Sequence, residues 1–69
     1  MQDNVYSVTE IVGSSETSIE DAINTAITKT AQTKRNLKWF EVTDIRGHIE
    51  DGAVAHFQVN LKVGFTLED

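Results

Sequence analysis

The residues best suited to bind a flat ligand lie in one stretch of the chain, residues 37–47. This stretch contains the only tryptophan, Trp39, next to Phe40, and one of the two arginines, Arg46. Aromatic and β-branched residues recur there without proline, which is typical of a β-strand. We predict that Trp39 points away from the core of its own chain. An indole in that orientation needs either a partner surface or a flat ligand.

Other residues that could do chemistry give weaker signals. His48 and His56 are candidates for a metal pair, but the strand register derived below places them on opposite faces, so we predict no metal site within one chain. Glu50 and Asp51 fall at a predicted hairpin tip, which offers no cleft for a catalytic pair of carboxylates. The chain has no cysteine, which excludes disulfides and thiolate metal sites. We therefore predict no catalytic residues.

The size and charge of the chain restrict its class and its partners. Residues 1–69 make one small domain whose core is marginal alone, so we expect oligomerisation to stabilise it. The net charge of −5 argues against nucleic acid and against an anionic membrane surface as partners. No apolar run approaches a membrane span, and residues 1–4 lack the features of a signal peptide. We expect a soluble, cytoplasmic protein.

The pattern of apolar residues predicts an α+β fold with the element order β-α-β-β. The predicted elements are a first strand over residues 5–12, a turn over 13–16, a helix over 18–33, a central strand over 37–50 and a last strand over 53–67. Asp51-Gly52 between the last two strands is a strong signal for a two-residue hairpin turn.

The start and the end of the helix carry their own signals. Thr17 and Glu20 fit a capping box, and Ser18 with Asp21 is a competing cap one residue later. The predicted buried face is small, because alanine and isoleucine dominate it. Asn36 is suited to end the helix, since asparagine tolerates the left-handed conformation.

The hairpin turn fixes a register for the two strands that it joins. If Glu50 faces Ala53, facing residue numbers add up to 103 along the whole hairpin. The pairs that matter for function are then Trp39 with Gly64, Phe40 with Val63, Val42 with Leu61, Ile45 with Gln58 and Gly47 with His56. Trp39, Ile45 and Gln58 share the face that the helix leaves uncovered. Arg46 falls on the core side, which indicates either a bulge near Asp44 or an ion pair with Asp44 or Glu41.

In the order and spacing of several short motifs, nearly the whole chain resembles the dodecins, a family of small flavin-binding proteins. The motifs are Ile11-Val12-Gly13-Ser14-Ser15, Thr17-Ser18-Ile19-Glu20-Asp21-Ala22-Ile23, Trp39-Phe40-Glu41-Val42, Ile45-Arg46-Gly47, Phe57-Gln58-Val59, Leu61-Lys62-Val63-Gly64-Phe65 and Leu67-Glu68-Asp69.

The resemblance implies a three-stranded antiparallel sheet partly wrapped around one helix, and a hollow homo-oligomer of twelve such chains. It also implies non-enzymatic storage of flavins, which stack in pairs between tryptophans of neighbouring subunits. By resemblance, Trp39 would stack on the isoalloxazine ring, Gln58 would hydrogen-bond its polar edge, and Arg46 would contact the ribityl chain or the phosphate. The implied ligands are FMN or riboflavin, with FAD and coenzyme A as further candidates.

Two features qualify this expectation. Several bacterial relatives carry a basic residue where this chain has Thr66, which weakens the case for FMN over riboflavin and for coenzyme A. Trp39 and Gln58 should also lie about 20 Å apart along the sheet, so we expect a flavin to meet them on different protomers. The alternative functions are a flavin-dependent redox enzyme and a purely structural oligomeric module.

Overall fold

The computed structural model describes residues 5–67. Its elements are β1 (Tyr6–Ser15), α1 (Ile19–Ala31), β2 (Leu37–Glu50) and β3 (Ala53–Thr66), which confirms the predicted β-α-β-β order. The sheet is antiparallel with the order β1-β3-β2, so β3 is its central strand. The predicted bounds of the second strand, residues 37–50, are confirmed. Its description as the central strand is wrong, because β3 lies between β1 and β2.

The helix begins one residue later than the predicted capping box requires. Ser18 is the cap, and its hydroxyl accepts a hydrogen bond from the Asp21 backbone N–H at 2.9 Å. Of the two competing caps, the later one is thus correct. The segment before the helix is held by the buried Ser15 hydroxyl, which donates to the Asp21 carboxylate at 2.7 Å and accepts from the Thr17 N–H at 2.9 Å.

The strand β1 runs three residues further than expected, through the residues predicted to form a turn. Gly13 lies inside β1, and a Cβ on it would approach the Ala22 carbonyl oxygen to 2.3 Å and the Ala26 Cβ to 2.8 Å. The glycine is therefore needed for close contact between helix and sheet, and no turn forms there. The turn prediction for residues 13–15 is wrong for this reason.

The helix ends at Ala31, two residues before the predicted end, and Asn36 adopts a left-handed conformation (φ 64°) in the connection to β2. The hairpin turn is confirmed, because Asp51 (φ 53°) and Gly52 (φ 76°) both have positive φ and Glu50 faces Ala53. That combination of dihedrals is the one a two-residue type I′ turn requires.

The core lies between the helix and the two strands it covers, β1 and β3. Within the described residues the core contains five buried apolar side chains, and the two that the helix contributes are both alanines, in keeping with the small predicted face. The five residues are Ala22, Ala26, Val59, Leu61 and Val63. The helix leaves β2 bare, so apolar side chains on its helix-facing side stay exposed, including Phe40 (48%), Ile45 (51%) and Ile49 (69%). An exposed apolar surface of this kind is typical of a site that contacts another surface.

Candidate functional site

The sheet has two faces, and β3 shows which one is open. Val59, Leu61 and Val63 point toward the helix, so the alternating residues of β3 lie on the opposite face. We call this opposite side the outer face. Its residues on β3 are His56, Gln58, Asn60, Lys62 and Gly64, and their partners on β2 are His48, Arg46, Asp44, Glu41 and Trp39.

Trp39 lies on the outer face opposite Gly64, as predicted. Its indole covers the glycine backbone, because a Cβ on Gly64 would come within 2.1 Å of Cε2 and 2.6 Å of Nε1. The ring centroid of Tyr6, on the far strand β1, lies 6.0 Å away with an edge-on tilt of 64°. Trp39 is thus positioned by a glycine below and a tyrosine beside it, and it remains 39% exposed. A flat apolar surface of this kind is suited to stacking.

The sequence did not identify Tyr6 as part of this arrangement. Tyr6 pairs with Thr66 near the end of the central strand β3. The next pair on the same face is Val8 with Gly64, and Gly64 is also the partner of Trp39. The signal was available, since Tyr6 is the only tyrosine and β1 was predicted as a strand. Tyr6 comes near Trp39 only because β1 pairs with β3, and the register of the β2–β3 hairpin does not predict that pairing.

The register of the hairpin changes at three places, and one change moves Arg46. Pairing shifts between Val42 and Asp44, where the Thr43 hydroxyl instead donates to the Asn60 carbonyl at 3.2 Å. Arg46 consequently faces Gln58 on the outer face. The placement of Arg46 on the core side is therefore wrong. Both explanations considered for it hold, because the bulge exists and the Arg46 guanidinium donates to the Asp44 carboxylate at 2.9 Å.

The same shift corrects two further predicted pairs. Ile45 faces Val59 on the helix side, where Gln58 had been expected opposite it, and Gly47 faces Phe57. Arg46 and Asp44 are about half exposed, with side-chain exposures of 50% and 57%. An exposed ion pair of this kind contributes only about 0–1 kcal/mol to stability, so the guanidinium can exchange its carboxylate partner for a ligand at little cost.

The three candidate ligand-binding residues share one face but do not all meet. Gln58 and Arg46 are direct neighbours, whereas Gln58 and Gly64, the partner of Trp39, are six residues apart on β3. At the usual rise per residue this separation is about 20 Å. One chain therefore presents two candidate half-sites on the outer face, an aromatic one at Trp39 and a polar one at Arg46 and Gln58.

The two histidines also lie on the outer face, which corrects the prediction that they occupy opposite faces. A second shift, between His48 and Ile49, makes His48 face His56 directly. Their ring centroids are 5.2 Å apart and the rings are within 13° of parallel. The strand register therefore gives no reason to exclude a metal pair. Within residues 5–67, no group of three or more histidine, cysteine or acidic side chains is arranged to hold a metal ion.

No helix in the described part of the chain is long and apolar enough to cross a membrane.

Comparison with known proteins identifies the family. The family model for dodecin matches residues 5–68. A dodecin of Thermus thermophilus is 48% identical over 65 residues, which are 94% of this chain and 94% of that protein. The solved dodecin structure from Streptomyces coelicolor is 54% identical, with a TM-score of 0.94 over 100% of this chain and 99% of that one. The dodecin from Streptomyces davaonensis is 46% identical, with a TM-score of 0.93 over 99% and 100% of the two chains. This chain therefore belongs to the dodecin family.

Proposed function

We propose that this protein binds and stores flavins, without turning them over, between the subunits of a hollow dodecamer. The observation that carries the proposal is the indole of Trp39, which lies directly against Gly64 on the outer face of a dodecin-family chain. Trp39 stacks on the isoalloxazine ring, and Gln58 and Arg46 bind polar groups of the ligand. A bound flavin supplies a redox-active, light-absorbing ring, and stacking on tryptophan limits its photochemistry.

The residues fit such a ligand chemically. An indole presents a large flat surface to a flat ring. The carboxamide of Gln58 offers both a donor and an acceptor, as the edge of the isoalloxazine ring requires. The guanidinium of Arg46 is half exposed and can form a fork of hydrogen bonds to a phosphate. Because the aromatic and polar half-sites of one chain are about 20 Å apart, one flavin takes Trp39 and Gln58 from different protomers.

The oligomer follows from the same geometry. A flavin-binding site made of two half-sites is complete only where two copies meet. The apolar side chains that α1 leaves exposed on β2 give those copies a surface to bury. A dodecamer of this 7.7 kDa chain has a mass of about 92 kDa, which light scattering after size-exclusion chromatography measures directly.

The ligand choice between riboflavin and FMN depends on phosphate contacts. Arg46 can supply one, while Thr66 stands where several bacterial relatives carry a basic residue. We therefore propose that riboflavin and FMN both bind, with a smaller advantage for FMN than a second basic residue would give. Coenzyme A is a further candidate ligand, and the lack of a basic residue at Thr66 weakens the case for it.

The decisive experiment titrates riboflavin and FMN with untagged wild type, Trp39→Ala and a control, Glu16→Gln, while flavin fluorescence is recorded. Trp39 is 39% exposed, which corresponds to roughly 100 Å² of indole available for stacking and about 2.5 kcal/mol at 25 cal/mol per Å². Trp39→Ala should therefore weaken binding by about 60-fold and restore flavin fluorescence. The exposed Glu16 lies outside both half-sites, so its variant should behave as wild type.

Two outcomes would count against the proposal. Equal affinity and equal quenching in wild type and Trp39→Ala would show that the indole is not the stacking partner. Steady oxidation of a reduced nicotinamide by the flavin-loaded protein would favour the alternative of a flavin-dependent enzyme. A protein that takes up neither flavin would instead be a structural module.

A further inference from the structure

A second cluster on the outer face lies beyond the residues proposed to bind flavin. His48 and His56 face each other across β2 and β3, close to the hairpin tip. The Glu50 carboxylate approaches the Nε2 atom of His48 to 3.7 Å. These are the only histidines of the chain. Two imidazoles and a carboxylate are thus gathered at one exposed place that the flavin proposal does not use.

The spacing of these groups suits a shared metal ion. A tetrahedral metal ion binds imidazole nitrogens at about 2.0–2.1 Å. Two imidazoles on one such ion have ring centroids roughly 5 Å apart, and the observed value is 5.2 Å. The rings are nearly parallel, so each must rotate to turn a nitrogen toward the ion. The His48 side chain is 55% exposed and has room to do so.

The surrounding charges allow a cation at this place. The nearest positive side chain on the same face, Arg46, is paired with Asp44 at 2.9 Å and is therefore locally neutralised. His56 borders a shallow depression lined by Ser14, Ser15 and Glu16, which adds a second carboxylate and leaves space for water ligands. The net charge of the chain is −5, which also favours cation binding.

We propose that His48 and His56 bind one divalent transition-metal ion per chain, with water completing its coordination. Imidazole nitrogens select Cu²⁺, Ni²⁺ and Zn²⁺ over the oxygen-seeking Mg²⁺ and Ca²⁺. The site takes its two nitrogen ligands from neighbouring strands of one hairpin, so a single protomer supplies both. It can fail separately from the flavin proposal, because none of Trp39, Gln58 and Arg46 is a metal ligand.

Two measurements on untagged, EDTA-treated, assembled protein test the site. In the first, Zn²⁺ is titrated by calorimetry into wild type, His48→Gln, His56→Gln and Glu10→Gln. Glu10 is the matched control, because it faces Lys62 on the same outer face but away from the histidines. Wild type and Glu10→Gln should bind one Zn²⁺ per chain. Each histidine variant should lose at least tenfold in affinity, since loss of even an outer-shell partner costs about 10–100-fold.

The second measurement needs no variant to fold correctly. The electron paramagnetic resonance spectrum of wild type with one Cu²⁺ per chain should show coupling to two imidazole nitrogens. The proposal is overturned if wild type binds neither ion, if Zn²⁺ affinity is equal in wild type and both histidine variants, or if the stoichiometry is below one per chain. Far-UV circular dichroism and elution volume identify any variant that has lost its fold, in which case the copper spectrum of wild type decides.

Discussion

Replacing Gly64 by alanine tests the proposed flavin site without removing any atom of the indole. The new Cβ would lie 2.1 Å from Cε2 and 2.3 Å from Cζ2 of Trp39. Carbon atoms in contact are about 3.5–4.0 Å apart, so the ring must move outward by roughly 1.4 Å or more. Because Tyr6 stands edge-on at a centroid distance of 6.0 Å, the movement also disturbs that contact.

The expected result is a weaker flavin complex in a protein that still assembles. Loss of well-aligned stacking costs about 0.5–1.5 kcal/mol, which is about 2- to 12-fold in the dissociation constant of riboflavin. This is smaller than the effect expected of Trp39→Ala, since most of the indole area remains. Trp39 is the only tryptophan, so its emission spectrum reports the displacement of the ring directly.

The matched control is Gly47→Ala in the same hairpin. Gly47 faces Phe57 on the helix side of the sheet, and its new Cβ would lie 3.3 Å from the His56 carbonyl oxygen, far from any indole. Both variants lose the same glycine freedom in the unfolded chain, so that contribution cancels. The reasoning is refuted if tryptophan emission changes in Gly64→Ala while flavin affinity does not. It is also refuted if the two variants weaken flavin binding equally.

Three further predictions concern the fold and the polar half-site. Ser18→Ala should lower the free energy of unfolding by about 1 kcal/mol, whereas Thr17→Ala should change it little, because only Ser18 caps the helix. Thermal unfolding at fixed protein concentration measures both variants, and equal effects would contradict Ser18 as the cap. Gly13→Ala should destabilise by about 1–3 kcal/mol or prevent assembly, since the helix must move off the sheet, and an unchanged midpoint would contradict this. Arg46→Ala should weaken the binding of FMN by about 10- to 100-fold and that of riboflavin much less. Equal losses of affinity in the two fluorescence titrations would exclude a contact between Arg46 and the phosphate.

The parts of the fold that the sequence predicts well are those with local signals. Asp51-Gly52 determines its turn because both residues must adopt positive φ, and few other pairs do so readily. The helix follows from the spacing of apolar residues, and Ser18 was one of two caps that the sequence offered. The placement of Trp39 also holds, because the register is still that of the turn at its pair with Gly64.

The parts that failed depend on contacts between distant segments. Gly13 resembles a turn glycine in sequence, and only the approach of Ala22 and Ala26 from the helix reveals its packing role. The register between Val42 and Asp44 shifts without any glycine or proline to mark it. A bulge of this kind is decided by how the strands pair over their whole length, which no short window contains.

The bulges determine which side chains of β2 lie on each face of the sheet. The shift after Val42 places Ile45 on the helix side, and the shift after His48 moves the pairing back by one residue. Between the two shifts, Arg46 and His48 join Trp39 on the outer face, where strict alternation would have turned them toward the helix. The apolar side chains of β2 consequently lie on the helix side of the sheet, where α1 does not cover this strand. The same irregularities that bring Arg46 next to Gln58 therefore also place exposed apolar side chains on the helix side of β2.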